Sequence, residues 1–163
     1  MRHILASMVL VVLLFPALAL GETVKFGDLV KREGLYYKKS NDVPFTGKTT
    51  GQIQGSFKDG KEDGPWVGYH DNGRVREKGT YKDGKPDGPY VSYNDNGQLL
   101  LKGTFKDGKA EGPWVYYHDN GQLWSKGTYK DGKMDGPWVN YKSDGTVWEK
   151  QTGTFKNGVK ISD

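Results

Sequence analysis

The 163-residue sequence predicts an all-β fold, an elongated, twisted antiparallel sheet of stacked β-hairpin repeats. Three observations carry that prediction. The text recurs every 24 residues, at Gly55, Gly79, Gly103 and Gly127, each unit reading roughly Gly-Thr-Tyr/Phe-Lys-Asp-Gly-Lys-x-Asp/Glu-Gly-Pro-Trp-Val-x-Tyr-x-Asp-Asn-Gly, and a supersecondary unit copied four times sets the architecture. Inside a unit, Tyr, Phe, Val, Trp and Thr gather in two short runs bounded by Lys-Asp-Gly-Lys and Asp-Asn-Gly, the pattern of strand, turn and strand. No stretch after residue 21 spaces its apolar residues as a helix does.

Composition supports a thin structure. The chain is 34% hydrophobic and 13% aromatic with 24 glycines, so aliphatic side chains are too few for a thick core and burial must come from rings. There is no cysteine, hence no disulfide and no thiol for a lipid anchor. The net charge of +4 is spread along the chain and not gathered into a nucleic-acid-binding tail.

The elements follow in order. Residues 1–21 read as a secretory signal peptide: cationic Arg2, an apolar run from Ile4 to Phe15, a break at Pro16, then small residues at Ala17, Ala19 and Gly21. The mature chain is expected to begin at Leu20 or Glu22 and to reside in a periplasm or outside the cell. Residues 22–33 are a lead-in. Residues 34–54 are a degenerate opening repeat in which Pro44-Phe45 replaces Pro-Trp, and residues 55–150 are the four full repeats. Residues 151–163 hold a partial closing repeat, delayed by Gln151 and Thr152 and lacking the Gly-Pro-Trp segment.

Two turn types compete at Asp-Asn-Gly. A two-residue turn at Asn96-Gly97 would set Tyr93 opposite Leu100 and Val91 opposite Lys102; a three-residue turn with Gly97 left-handed sets Tyr93 opposite Leu99 and Val91 opposite Leu101. The second keeps apolar residues together, and it also pairs Tyr69 with Val75, Tyr117 with Leu123 and Tyr141 with Val147. Alternation along the strands then gives two faces. One, expected to be packed, carries Val67, Tyr69, Val75 and Tyr81, with the glycines that open each unit leaving room for a neighbouring ring. The other carries Trp66 opposite Lys78, Tyr90 opposite Lys102, Trp114 opposite Lys126 and Trp138 opposite Lys150. Trp124 and Trp148 widen that aromatic and basic face in the last two units, where binding is expected to be strongest.

Catalysis calls for a constellation placed once, whereas the polar residues here are turn residues repeated four times; no catalytic residue and no cofactor is expected. Asp59 with Asp63 and Asp83 with Asp87 read as turn carboxylates that bond nearby backbone N–H groups. His70 and His118 lie two units apart, about 19 Å over four strand spacings, too far to share a zinc ion, and read as solvent-facing. The central lysine of each Asp-Gly-Lys loop argues against calcium, so no metal is expected. Each lysine stripe is matched by acidic residues in the turns, which argues against nucleic acid.

The motif Asp-Gly-Lys-x-Asp/Glu-Gly-Pro-Trp-x-x-Tyr-x-x-Asn-Gly, as in Asp107 to Gly121, resembles the bacterial variant of the MORN (membrane occupation and recognition nexus) repeat, including antitoxin components of YwqK-family toxin–antitoxin systems. The resemblance spans Gly34 to Lys160. It implies a sheet of stacked hairpins and a binding or scaffolding role, with a protein as the expected partner and a cell-wall glycan, an anionic lipid headgroup or a toxin as alternatives.

Overall fold

The computed structural model describes residues 21–163; the expected signal peptide, Gly21 apart, lies outside the described residues. From Ile53 onward the chain is an antiparallel meander in which each strand pairs with the next. Its strands are Ile53–Lys58, Lys61–Tyr69, Val75–Lys82, Lys85–Pro86 continued by Gly88–Tyr93, Leu99–Lys106, Lys109–Tyr117, Leu123–Lys130, Lys133–Met134 continued by Gly136–Asn140, Gly153–Lys156 and Val159–Ser162. With Glu22–Lys25 and Gly47–Thr50 they form one twisted, fourteen-stranded sheet. The expectation of a purely antiparallel sheet is corrected at one edge, where Glu22–Lys25 runs parallel to Gly47–Thr50. Parallel neighbours need an intervening connection, and a separate two-stranded hairpin, Leu29–Arg32 with Leu35–Lys38, supplies it.

Two turn types alternate along the meander. At Asp59-Gly60, Asp83-Gly84, Asp107-Gly108 and Asp131-Gly132 both residues have positive φ, the type I′ geometry whose twist matches the flanking strands. Each is closed by a pair of lysines, as in Lys82 opposite Lys85. At the other edge of the sheet the three-residue turn forms as expected. Gly97 has a φ of 89°, and Tyr69 pairs with Val75, Tyr93 with Leu99, Tyr117 with Leu123 and Tyr141 with Val147.

One residue beyond that turn, the expected register fails. Tyr69 pairs with Val75 but Gly68 pairs with Glu77, so Arg76 is an extra residue in a β-bulge. Leu100 and Trp124 are the corresponding extra residues in the next two hairpins. A one-residue shift moves every following side chain to the opposite partner and face. Val91 accordingly pairs with Lys102, while Leu101 pairs with Ser92. None of the four expected aromatic–lysine pairs forms: Trp66 faces Gly79, Tyr90 faces Gly103, Trp114 faces Gly127 and Trp138 faces Gly153. The packed face is corrected with them. Val67 pairs with Lys78 on one side of the sheet, and the tryptophans line the other, only 8%, 4% and 3% exposed at Trp66, Trp114 and Trp138.

Glycine is what lets the rings lie down. A Cβ at Gly103 or Gly127 would fall within the indole of Trp114 or Trp138. The flattened rings then meet edge to face along the sheet: Phe105 to Trp114 at 5.0 Å, Trp114 to Tyr129 at 5.8 Å and Tyr129 to Trp138 at 5.0 Å, within the favourable range for aromatic pairs. At the N-terminal end the series closes into a core of Leu29, Phe45, Phe57 and Trp66, with Phe26 and Tyr36 packed against it.

Two predictions follow from this packing. Gly127→Ala should destabilise the protein by about 1–3 kcal/mol, because the added methyl forces the Trp138 ring off its site; Gly27→Ala, where a Cβ meets nothing within 4 Å, should stay within about 0.5 kcal/mol in the same urea titration. Equal midpoints for the two variants would contradict the ring-on-glycine arrangement. The second concerns alkali. The Tyr36 phenol is pushed up to about 12, by burial first and then by the Glu62 carboxylate, and burial also raises Tyr81. A raised phenol means that folding favours the neutral form, so its stabilisation is complete below the ordinary value of 10.0 and is lost as pH climbs towards 12. Melting temperatures should fall above pH 10, and less steeply in Tyr36→Phe; a melting temperature that rises there would show the sign to be wrong.

Candidate functional site

The two faces of this sheet are chemically distinct, because almost nothing covers either of them beyond the N-terminal core. On the first, register produces a continuous row across seven strands: Val67, Lys78, Val91, Lys102, Val115, Lys126 and Val139, each paired with the next. The lysines are exposed and the valines half-buried. Flanking rows carry Pro65 opposite Thr80, Pro89 opposite Thr104 and Pro113 opposite Thr128 on one side, and the Tyr–Val and Tyr–Leu turn pairs on the other. Lys126 Nζ stands 6.0 Å from the Tyr141 ring centre. A broad depression of about 670 Å³ opens on this face, floored by Val91, Tyr93, Leu99 and Val115 and edged by Lys78 and Lys102. Successive lysines are two strands apart, about 10 Å.

The second face is aromatic, and its polar tips are mostly satisfied inside the sheet. Trp114 and Trp138 donate their indole N–H to the carbonyls of Thr104 (3.2 Å) and Thr128 (3.0 Å). Tyr90, where the other repeats have tryptophan, donates its hydroxyl to Glu77 at 2.9 Å, and burial together with that bond pushes its phenol well above the ordinary range. Tyr116 donates to the Tyr129 hydroxyl at 3.3 Å, and burial followed by this bond raises it likewise. Burial thus extends the range over which these phenols stay neutral donors further into alkali.

The turn residues act between repeats. Asp63, Asp87 and Glu111 accept the backbone N–H of Asp83, Asp107 and Asp131, the first residue of the next repeat's turn, at 3.4, 3.3 and 2.9 Å. Of the expected carboxylate–backbone bonds, those of Asp63 and Asp87 are present, and they join one unit to the next, whereas Asp59 accepts from the Thr46 hydroxyl instead. The histidines are corrected from solvent-facing: His70 Nε2 and His118 Nε2 each lie 2.9 Å from a carbonyl oxygen of the following repeat, those of Tyr93 and Tyr141. Asn72 and Asn120 make the equivalent link to Asp95 (2.7 Å) and Ser143 (2.8 Å). A polar residue engaged in this way is part of the stacking.

The expected binding residues thus separate. Lys78, Lys102 and Lys126 stand on the valine face, and Trp66, Tyr90, Trp114 and Trp138 on the ring face. Lys150 lies in the 3-10 turn Glu149–Gln151, and Trp138 pairs with Gly153 instead. Trp124 and Trp148 are the exposed tryptophans, at 45% and 39%, and Trp124 leans on Tyr116, ring centres 5.9 Å apart. Sequence reasoning missed the valine–lysine row. The bulge position that creates it is filled by Arg76, Leu100 and Trp124 with no common polarity, as befits a residue outside the alternation, so no side-chain signal marked it.

Residues 62–83, 86–107 and 110–131 match the family model of the MORN repeat variant, and residues 54–65, 78–89 and 126–137 match that of the MORN repeat. No curated protein matches the chain. The matched segments run across the hairpins and turns just described, so the central part of the sheet, within residues 54–137, is built from repeats of the MORN type.

Proposed function

We propose that the chain is an exported, non-catalytic binding or scaffolding protein, and that its docking surface for another protein is the valine–lysine face. MORN repeats support a repeat-based binding role. The observation that carries the choice of face is the continuous row from Val67 to Val139, in which apolar floor and cationic rim alternate over seven strands. An exposed apolar strip of this kind, bordered by charge, suits a partner that is itself extended and carries acidic groups. Export rests on the signal-like residues 1–21. The buried tryptophans are assigned to folding and the lysines to contact.

The proposal separates the two groups of residues experimentally. Lys102→Glu combined with Lys126→Glu should leave the melting temperature within a few degrees of wild type, since exposed surface substitutions cost little, and should abolish capture of a partner from cell-envelope extract. Trp114→Ala combined with Trp138→Ala should instead unfold the protein, each truncation costing about 3–5 kcal/mol. Capture that survives both charge reversals would overturn the assignment of this face. Co-sedimentation of purified protein with anionic vesicles or peptidoglycan, lost in the same double variant, would replace the protein partner by a lipid or glycan.

A further inference from the structure

The ring face departs from its period at one place in a way that leaves a space. A cavity of about 250 Å³ opens between the third and fourth full repeats, walled by Tyr116, Trp124, Tyr129 and Trp138, with Ser125 and Asn140 among its lining residues. Its cause is readable in the register. Ser125 sits across from Tyr116 on one side and Asn140 on the other; the equivalent residue is Glu77 in the first full repeat and Leu101 in the second. Glu77 is engaged by the Tyr90 hydroxyl, and Leu101 places an aliphatic side chain at this position. Serine at 125 removes that bulk, and the space is left beside the exposed indole of Trp124.

We infer that this cavity is a binding site for one ring of a neutral saccharide. Its volume is below the roughly 300–1,000 Å³ of pockets for drug-sized ligands, which limits the occupant to a small ring. Every residue lining it is uncharged, so an ionic ligand would be desolvated with no opposite charge to meet it. Aromatic walls give the C–H faces of a pyranose a surface to stack on. The Ser125 hydroxyl and the Asn140 side chain, fixed by donating to the Gln151 carbonyl at 2.5 Å, provide polar groups for sugar hydroxyls. A quaternary ammonium ion, the other group that aromatic walls attract, has no use for those polar groups, and the saccharide is favoured for that reason.

The test uses the full mature chain with glucose, galactose, N-acetylglucosamine and their neutral disaccharides, titrated by calorimetry and tryptophan fluorescence. Saturable binding is expected for at least one sugar. Trp124→Ala and Ser125→Leu should weaken it by about tenfold or more; Trp124 is 45% exposed, so loss of binding by Trp124→Ala with an unchanged melting curve marks the cavity and not the fold. Lys102→Glu with Lys126→Glu should bind the sugar like wild type, which keeps this site distinguishable from the opposite face. A panel that gives no heat and no fluorescence change overturns the assignment, as does equal binding by Trp124→Ala and Ser125→Leu. Tetramethylammonium binding more tightly than every sugar would overturn it in favour of a cation site.

Discussion

Each of the three buried tryptophans, Trp66, Trp114 and Trp138, lies over a glycine of the preceding strand, Gly55, Gly103 and Gly127 respectively, and the rest of the sheet is arranged around that contact. A single-layered sheet has no second layer to bury rings against. Indoles can reach 3–8% exposure only by lying flat on backbone and packing edge-on against rings of adjacent strands. A residue with a Cβ at the facing position would lift the ring away and expose it. The bulges at Arg76, Leu100 and Trp124 put the glycines that follow them on the ring side, where Gly79, Gly103 and Gly127 receive the rings of Tyr90, Trp114 and Trp138. The three-residue turn by itself would set lysine opposite tryptophan; one extra residue moves glycine there instead.

This explains which parts of the fold could be read from the residues. The turns were legible because their chemistry is local: Asp-Gly between lysines and Asp-Asn-Gly after tyrosine determine hairpin type within a few residues, and the Tyr–Val and Tyr–Leu pairs next to the turn follow directly. The faces were not. Extending strict alternation from Tyr93 to Tyr90 passes the bulge, and a bulge residue carries no side-chain signature, as arginine, leucine and tryptophan at the same repeat position demonstrate. The opening glycines were correctly read as room for a ring, but the ring was assigned to the wrong face. Of the candidate binding residues, the lysines and Trp124 are at the surface, whereas Trp66, Trp114 and Trp138 have moved to the packed side.

Association between repeats relies on polar contacts at both edges. At the Asp-Gly turns, the N–H of Gly84, Gly108 and Gly132 reaches a carbonyl of the preceding repeat at 2.8–2.9 Å, and an acidic side chain takes the adjacent N–H. At the Asp-Asn-Gly turns, histidine and asparagine reach the following repeat. Every unit therefore touches mainly its neighbours, the condition under which stability grows by nearest-neighbour terms. Asp63, Asp87, Glu111, His70 and His118 take part in this stitching, and their repetition follows from it.

A periodic scaffold separates two ways of being functional. Residues that recur on an exposed face, such as Lys78, Lys102 and Lys126 with their flanking valines, present the same chemistry about every 10 Å and suit a ligand long enough to meet several copies. Weak contacts of this sort gain by being made together. Residues that break the period act only once. Ser125 and Trp124 interrupt a face that packing otherwise dictates, and they do so without disturbing the turn pair Tyr117–Leu123 or the ring contact of Trp138 with Gly127. The bulge makes this possible. Its extra residue belongs to neither the alternation nor the ring series, so its identity can vary from Arg76 to Leu100 to Trp124 while the fold stays the same.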